Sequence, residues 1–167
     1  FMCGILGYQR TDFGDGYYNL DRAVAALAHR GPDDSGTWTE NSVGLGFVRL
    51  SIIDLSPAGH QPMLSPDGRY VITFNGEIYN YPALKNELEA KGHIFRTTSD
   101  TEVLLHLYAE KGDAMLQDLR GMFAFALWDQ RKQALLLARD PYGIKPLYYA
   151  DDGRTLRLAS QVKALLT

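Results

Sequence analysis

Short apolar runs separated by polar turns recur along the chain, and runs of about 4 to 8 residues of this kind are typical of β-strands. The runs at 147–150 and 155–160 are separated by Asp-Asp-Gly, which is a hairpin signal. The other strands are predicted at 4–9, 36–39, 43–50, 69–74, 94–97, 123–128 and 134–139.

Apolar residues at helical spacing predict helices before, between and after these strands. In the first helix, Leu20, Val24 and Leu27 share one face. The third begins with Ser-Asp-Thr-Glu at 99–102, a capping box in which Asp100 is also a favourable charge at a helix N-terminus. Paired helices among antiparallel hairpins favour an α+β layered domain over βαβ units. The predicted helices cover 17–28, 82–91, 99–108 and 161–166.

Two stretches show neither the strand pattern nor the helical spacing of apolar residues, and they are predicted as loops. Residues 29–36 are a run of turn-forming residues. Residues 51–66 are rich in Pro, Gly and Ser, and a loop of this length in a compact domain is usually functional or disordered. The apolar residues within it, Ile52 and Met63 among them, argue against disorder. The pair Asn75-Gly76, directly after a predicted strand, is by itself typical of a tight turn.

The composition indicates one globular domain, since 46% of the 167 residues are hydrophobic and 22% are charged. The net charge is −3 and the basic residues are scattered, so the sequence predicts no basic patch for nucleic acid or an anionic membrane. The expected partners are small molecules or proteins. No signal-peptide pattern opens the chain, and no apolar run approaches the ~20 residues that span a bilayer. The four histidines lack metal-ligand spacing, which predicts no metal site.

Cys3 is the single cysteine of the chain, so it cannot form an internal disulfide, and a free thiol favours a reducing, cytoplasmic setting. If the residues before it are removed, Cys3 carries a thiol and a free α-amine on one residue. The amine can then act as the base for its own thiol, as in N-terminal nucleophile enzymes. The alternative is a small apolar residue in a buried first strand.

Seven ordered blocks make the chain resemble the class II glutamine amidotransferases, which have an N-terminal cysteine. The resemblance is strongest to the glutaminase domain of glutamine-dependent asparagine synthetases, and it covers essentially the whole chain. The blocks are Met-Cys-Gly-Ile at 2–5, His-Arg-Gly-Pro-Asp-Asp-Ser-Gly at 29–36, Arg-Leu-Ser-Ile-Ile-Asp-Leu at 49–55, Gly-His-Gln-Pro-Met at 59–63, Asn-Gly-Glu-Ile-Tyr-Asn at 75–80, Ser-Asp-Thr-Glu at 99–102 and Arg-Asp-Pro-Tyr-Gly-Ile-Lys-Pro-Leu-Tyr-Tyr at 139–149.

This resemblance implies a four-layer αββα sandwich of two antiparallel sheets, of the N-terminal-nucleophile hydrolase type, over residues 1–167. It implies that Cys3 is the catalytic nucleophile and that the Asn75 side chain and the Gly76 N–H form the oxyanion hole. Arg49 would bind the substrate α-carboxylate, and its guanidinium suits a bidentate contact. Glutamine binding is implied for Arg49, Leu50, Ile52, Glu77 and Asp100, the last two at the α-ammonium group.

The activity implied is hydrolysis of glutamine to glutamate and ammonia through a Cys3 thioester, with ammonia passed on for ATP-dependent synthesis of asparagine from aspartate. The synthetase domain, in cis or in trans, is absent from this chain. ATP and Mg are expected only there, and no cofactor is expected here. The resemblance also allows a homodimer. Two alternatives remain: an amidotransferase with another acceptor, and a non-catalytic glutamine-binding module in which Cys3 is blocked.

The residues ahead of Cys3 give a first prediction. With Phe1 and Met2 in place, the α-nitrogen of Cys3 is an amide and cannot take the thiol proton. We expect the extended chain to release ammonia from glutamine poorly or not at all, and protein that begins at Cys3 to be active. Both forms should be confirmed by mass and assayed together. Equal activity would exclude the α-amine as the base and make His29 the first residue to test.

Overall fold

Two antiparallel sheets form the centre of the computed structural model, which describes residues 3–11, 18–50 and 59–167. The first sheet has the order β2-β3-β1-β9-β8 and the second has the order β4-β5-β6-β7. The strands of the first sheet are β1 (Gly4–Arg10), β2 (Asp34–Glu40), β3 (Val43–Arg49), β8 (Tyr148–Asp151) and β9 (Thr155–Ala159). Those of the second are β4 (Met63–Leu64), β5 (Tyr70–Ile78), β6 (Gly121–Asp129) and β7 (Ala134–Arg139).

Helices cover the outer faces of both sheets. Helix α1 (Leu20–Leu27) packs on the first sheet, while α2 (Tyr81–Ala90) and α3 (Asp100–Lys111) pack on the second. Short 3-10 helices follow at Gly112–Gln117 and Val162–Leu166. The inner faces of the two sheets meet in a third apolar layer that includes Leu45 and Trp128. This arrangement confirms the predicted αββα sandwich. No helix among the described residues is long and apolar enough to cross a bilayer.

The alternation of side chains along β5 decides which residues can reach the first sheet. Tyr70, Ile72, Phe74 and Ile78 lie in the core beneath α3. The residues between them face the other way, and the Thr73 hydroxyl donates a hydrogen bond to the Gly46 carbonyl of β3 at 3.0 Å. Asn75 and Glu77 therefore share the face that looks towards the first sheet.

The alternative interpretation of Asn75-Gly76 as a tight turn is wrong, because both residues lie within β5. Gly76 is paired with Phe123 of β6. A Cβ on Gly76 would lie 2.2 Å from the Met122 carbonyl oxygen, so only glycine allows the two strands to approach this closely. Long-range pairing with β6 thus overrides the local turn propensity.

The strand predicted at 94–97 is also absent, and the reason is Glu102. Its carboxylate accepts hydrogen bonds from the backbone N–H groups of Arg96 and Thr97 at 2.8 and 2.7 Å, so these groups have no strand partner. Burial alone would raise the pKa of Glu102, but the donors from Thr97 and Arg96 outweigh it and lower the pKa. The capping box is therefore only half formed: Ser99 caps α3 by accepting from Thr101 N–H at 3.2 Å, and Glu102 points elsewhere.

The other predicted strands and helices are present, but several boundaries differ. Strand β5 runs on to Ile78, and β2 begins at Asp34, inside the predicted 29–36 loop. Strand β4 lies in the predicted 51–66 loop, of which residues 51–58 lie outside the described residues. Helix α1 begins at Leu20, and the Asn19 side chain accepts from Arg22 N–H at 2.9 Å as its N-cap. The predicted start at residue 17 lies outside the described residues. The C-terminal helix is a 3-10 helix over Val162–Leu166.

Asp140 fixes the segment that connects β7 to β8. It is 2% exposed, and its carboxylate accepts hydrogen bonds from four backbone N–H groups at 2.9–3.2 Å. Burial opposes its ionisation, but the four donors outweigh burial and lower the pKa of the carboxyl. The donors belong to Phe123, Tyr142, Ile144 and Lys145.

Asp140→Asn should therefore destabilise the fold at neutral pH, by about 2 kcal/mol, because an amide cannot accept from all four donors. A carboxyl with a lowered pKa stabilises the fold above its unfolded pKa of about 3.9, and this contribution disappears as the pH falls through the lower folded value. The difference in unfolding free energy between wild type and variant, measured by urea titration, should thus shrink below about pH 4. Asp151→Asn, an exposed carboxylate, is the control. A difference that is independent of pH would contradict this account.

Candidate active site

A cavity of about 490 Å³ opens where the C-terminal part of β5 faces the start of β1 and the end of β3. It is lined by residues from both sheets, from the start of α3 and from the segment after Asp140. They are Cys3, Phe47, Arg49, Leu50, Gly59, Gln61, Phe74, Asn75, Gly76, Glu77, Tyr81, Thr98, Ser99, Asp100, Thr101 and Lys145.

The structure brings the sequence-predicted site residues together in this one cavity. They come from distant parts of the chain and include the single thiol, the guanidinium, both carboxylates and the Asn-Gly pair. Ile52 lies outside the described residues. The predicted residues that line the cavity are Cys3, Arg49, Leu50, Asn75, Gly76, Glu77 and Asp100.

The Cys3 side chain is half-buried at the edge of the layer between the sheets, where it packs against the cluster of Ile5, Phe47 and Ala124. The Leu50 N–H points at its sulfur with an N–Sγ distance of 3.4 Å, and the sulfur lies 3.8 Å from the Leu50 carbonyl oxygen. These two backbone contacts hold the sulfur beside the end of β3. Cys3 is therefore partly accessible and is not a fully buried core residue.

Arg30 binds the backbone of Cys3, and this role was not predicted from the sequence. Its Nε donates a hydrogen bond to the Cys3 carbonyl at 3.1 Å, while its Nη2 is buried without a hydrogen-bond partner among the described residues. Burial lowers the pKa of the guanidinium. The neighbouring His29 is exposed, with its Nδ1 3.2 Å from Lys163 Nζ, and it does not line the cavity.

Asn75 and Gly76 direct polar donors into the cavity. Asn75 is only 3% exposed, and its Nδ2 is buried with no hydrogen-bond partner in the described part of the chain. Backbone groups alternate in direction along a strand. The Phe74 and Ile78 N–H groups point away from β6, to Gln61 and Asp100, so the Gly76 N–H between them has the same direction.

Two carboxylates and two cations line the cavity. The Asp100 carboxylate accepts from Ile78 N–H at 3.0 Å, and burial chiefly, with the nearby charge of Glu77, raises the pKa of Asp100. Arg49 lies at the end of β3, where its carbonyl accepts from Asp33 N–H at 3.1 Å. Lys145 is 8% exposed, and its backbone N–H is held by Asp140. Paired charges of both signs suit a small zwitterion.

The sequence reasoning thus missed Arg30, Gln61 and Lys145 as parts of the site. Each lies inside a block that the resemblance had identified, at 29–36, 59–63 and 139–149. Their positions within these blocks were the available signal, but only the long-range contacts show that Arg30 reaches Cys3 and that Lys145 lines the cavity.

Comparison with known proteins agrees with this geometry. The family model described as a glutamine amidotransferase domain matches residues 2–167. The chain belongs to the glutamine amidotransferase domain family. It is therefore an enzyme domain, as the motif blocks implied.

The relatives of this amidotransferase domain are considerably longer proteins. Glutamine-hydrolysing asparagine synthetase 3 of Bacillus subtilis (strain 168) is 42% identical over 169 residues, which cover 99% of this chain and 27% of the relative. The glutamine-hydrolysing asparagine synthetase B of Escherichia coli (strain K12) is 48% identical over 168 residues, covering 99% of this chain and 30% of the relative. The chain thus spans about a third or less of the length of these proteins.

A solved structure has the same fold. The glutamine phosphoribosylpyrophosphate amidotransferase of B. subtilis matches with a TM-score of 0.80 at 24% identity, over 98% of this chain and 43% of that one. At this identity the match concerns the fold alone. It confirms the αββα sandwich predicted from the sequence.

The raised pKa of Asp100 predicts a conflict between stability and function at this site. The charged form of a carboxyl with a raised pKa destabilises the fold, so Asp100 favours folding below its unfolded pKa of about 3.9, and this contribution is lost as the pH rises through the folded value. Asp100→Asn should consequently unfold at higher urea concentration at pH 7, by about 0.5–2 kcal/mol in free energy, as for other substitutions at strained sites. The gain should vanish near pH 3. Asp151→Asn, at an exposed carboxylate, is the charge control, and a less stable Asp100→Asn at pH 7 would contradict the prediction.

Proposed function

We propose that the cavity binds glutamine and that Cys3 attacks its side-chain amide. The substrate carries a carboxylate, an ammonium group and a reacting amide, and the cavity offers complementary groups for all three. Arg49 binds the α-carboxylate, and Glu77 and Asp100 bind the α-ammonium. Leu50 and Ile52 complete the binding group that the family resemblance implies. The reacting amide then lies between Cys3 and the Asn75-Gly76 pair.

The observation that carries this proposal is the buried Asn75 amide in the cavity that also holds the single thiol. A buried donor without a partner costs about 1–3 kcal/mol, so its retention at this position needs a reason. An oxyanion that forms only during the reaction supplies that reason. The Gly76 N–H points to the same side and provides a second donor.

The reaction proceeds in two steps. The Cys3 thiolate attacks the amide carbon, the oxygen becomes an oxyanion held by Asn75 and Gly76, and the carbon–nitrogen bond breaks to release ammonia. Water then hydrolyses the γ-glutamyl thioester and yields glutamate and free thiol. In the form that begins at Cys3, the α-amine takes the thiol proton and returns it to the departing ammonia.

The ammonia serves a synthetase domain in this proposal. The relatives named above are glutamine-hydrolysing asparagine synthetases, and most of their length lies outside the matched region. We therefore propose asparagine formation from aspartate, with ATP and Mg bound by the synthetase domain in cis or in trans. No cofactor is assigned to the glutaminase domain. A cytoplasmic location and a homodimer belong to the same proposal, the former supported by the single free thiol.

The oxyanion assignment predicts how two substitutions differ. Asn75→Ala should lower kcat by about 10²–10³-fold with a smaller change in KM, because the lost donor acts mainly in the transition state. Arg49→Lys, measured in parallel, should instead raise the KM for glutamine, because an ammonium group cannot make the two parallel hydrogen bonds that a guanidinium makes to a carboxylate. Ammonia release against glutamine concentration separates the two effects. If Asn75→Ala changed KM alone, Asn75 would be a contact to the ground state and the oxyanion assignment would be wrong.

A further inference from the structure

The Gln61 side chain makes hydrogen bonds to β5 that a neighbouring strand would otherwise make, close to the proposed oxyanion donors Asn75 and Gly76. It is 5% exposed; its Oε1 accepts from Phe74 N–H at 2.5 Å and its Nε2 donates to the Phe74 carbonyl at 3.2 Å. In the β4–β5 register, Met63 lies opposite Ile72, so a longer β4 would place the backbone of residue 61 opposite Phe74. The side-chain amide makes the two hydrogen bonds that this backbone would have made.

The backbone of Gln61 lies elsewhere, against the other sheet. A Cβ built on Gly36 of β2 would be 2.1 Å from the Gln61 carbonyl oxygen, so the two backbones are in direct contact. Pro62 has no N–H and cannot continue the ladder of β4. Gln61 thus connects the edge strand β2 of the first sheet with β5 of the second, at the wall of the cavity.

This connection lies one residue before the oxyanion donors. On the side of β5 away from β6, the Phe74 N–H donates to the Gln61 side chain and the Ile78 N–H donates to the Asp100 carboxylate. The Gly76 N–H lies between these two groups. We propose that Gln61 is a positioning residue for the oxyanion site. By holding both backbone groups of Phe74, it fixes the direction of the Gly76 N–H and of the Asn75 side chain. This inference rests on the proposed function.

Few other side chains can do this. A primary amide carries both a donor and an acceptor, as a peptide does. A glutamate at this position would accept from Phe74 N–H but could not donate to the Phe74 carbonyl when ionised, and a methionine of similar length would do neither. Gln61→Glu and Gln61→Met therefore remove one and both bonds respectively.

Steady-state ammonia release by protein that begins at Cys3 tests the proposal. Gln61→Met should lower kcat by about 10–100-fold with KM for glutamine within about threefold of wild type, as expected for donors that are slightly misplaced. Gln61→Glu should show a smaller loss of the same kind. The rate of Cys3 alkylation by iodoacetamide should stay unchanged, because the nucleophile is not touched. Gln117→Met, at an exposed position of the 3-10 helix Gly112–Gln117, is the control.

The variant Asn75→Ala distinguishes positioning from general destabilisation. If Gln61 acts through the oxyanion site, Gln61→Met should reduce kcat much less in the Asn75→Ala background than in wild type. Three results would overturn the proposal. They are a wild-type kcat in folded Gln61→Met, a change in KM alone, and an effect on kcat that is fully additive with that of Asn75→Ala. If Gln61→Met does not fold, the same criteria apply to Gln61→Glu. An inactive wild type would instead refute the proposed function itself.

Discussion

The period-two alternation of β5 is the constraint on which the site depends. One face of the strand is committed to the core beneath α3 through Ile72 and Phe74, so Asn75 and Glu77 must face the first sheet. In the plane of the sheet, one set of backbone groups pairs with β6 and the other set points to the edge left by the short β4. A single strand thereby presents a side-chain amide and a backbone N–H at the same point. A register slip of one residue would remove both from the cavity.

Two buried groups in the cavity lack the internal support that buried polar groups usually have. The Nδ2 of Asn75 has no hydrogen-bond partner in the described chain, and the carboxyl of Asp100 has a raised pKa because it is buried near Glu77. Elsewhere the buried carboxyls of Asp129 and Asp140 are fully supported by donors, and their pKa values are lowered. This contrast is what the proposed function predicts, because residues that anchor the fold are fully supported whereas groups that await a ligand are not.

Much of this could be predicted from the sequence, because strands, helices and turns follow local patterns, and the motif blocks located the thiol, the guanidinium and the Asn-Gly pair. The failures have specific causes. The Asn75-Gly76 turn propensity was overridden by pairing with β6, and residues 94–97 lost their strand because Glu102 takes their N–H groups. The contributions of Arg30 and Gln61 depend on hydrogen bonds to residues 27 and 13 positions away, which no local pattern reveals.

The central claim is that Cys3 forms a covalent acyl bond with glutamine in the cavity beside β5. Acid quenching of protein that begins at Cys3 during turnover, followed by proteolysis and mass spectrometry, tests it directly. We predict one γ-glutamyl adduct, on the N-terminal peptide at Cys3, present with glutamine and absent with glutamate or asparagine alone. Ammonia release without an adduct on Cys3, or an adduct on a residue outside the cavity, would contradict the account.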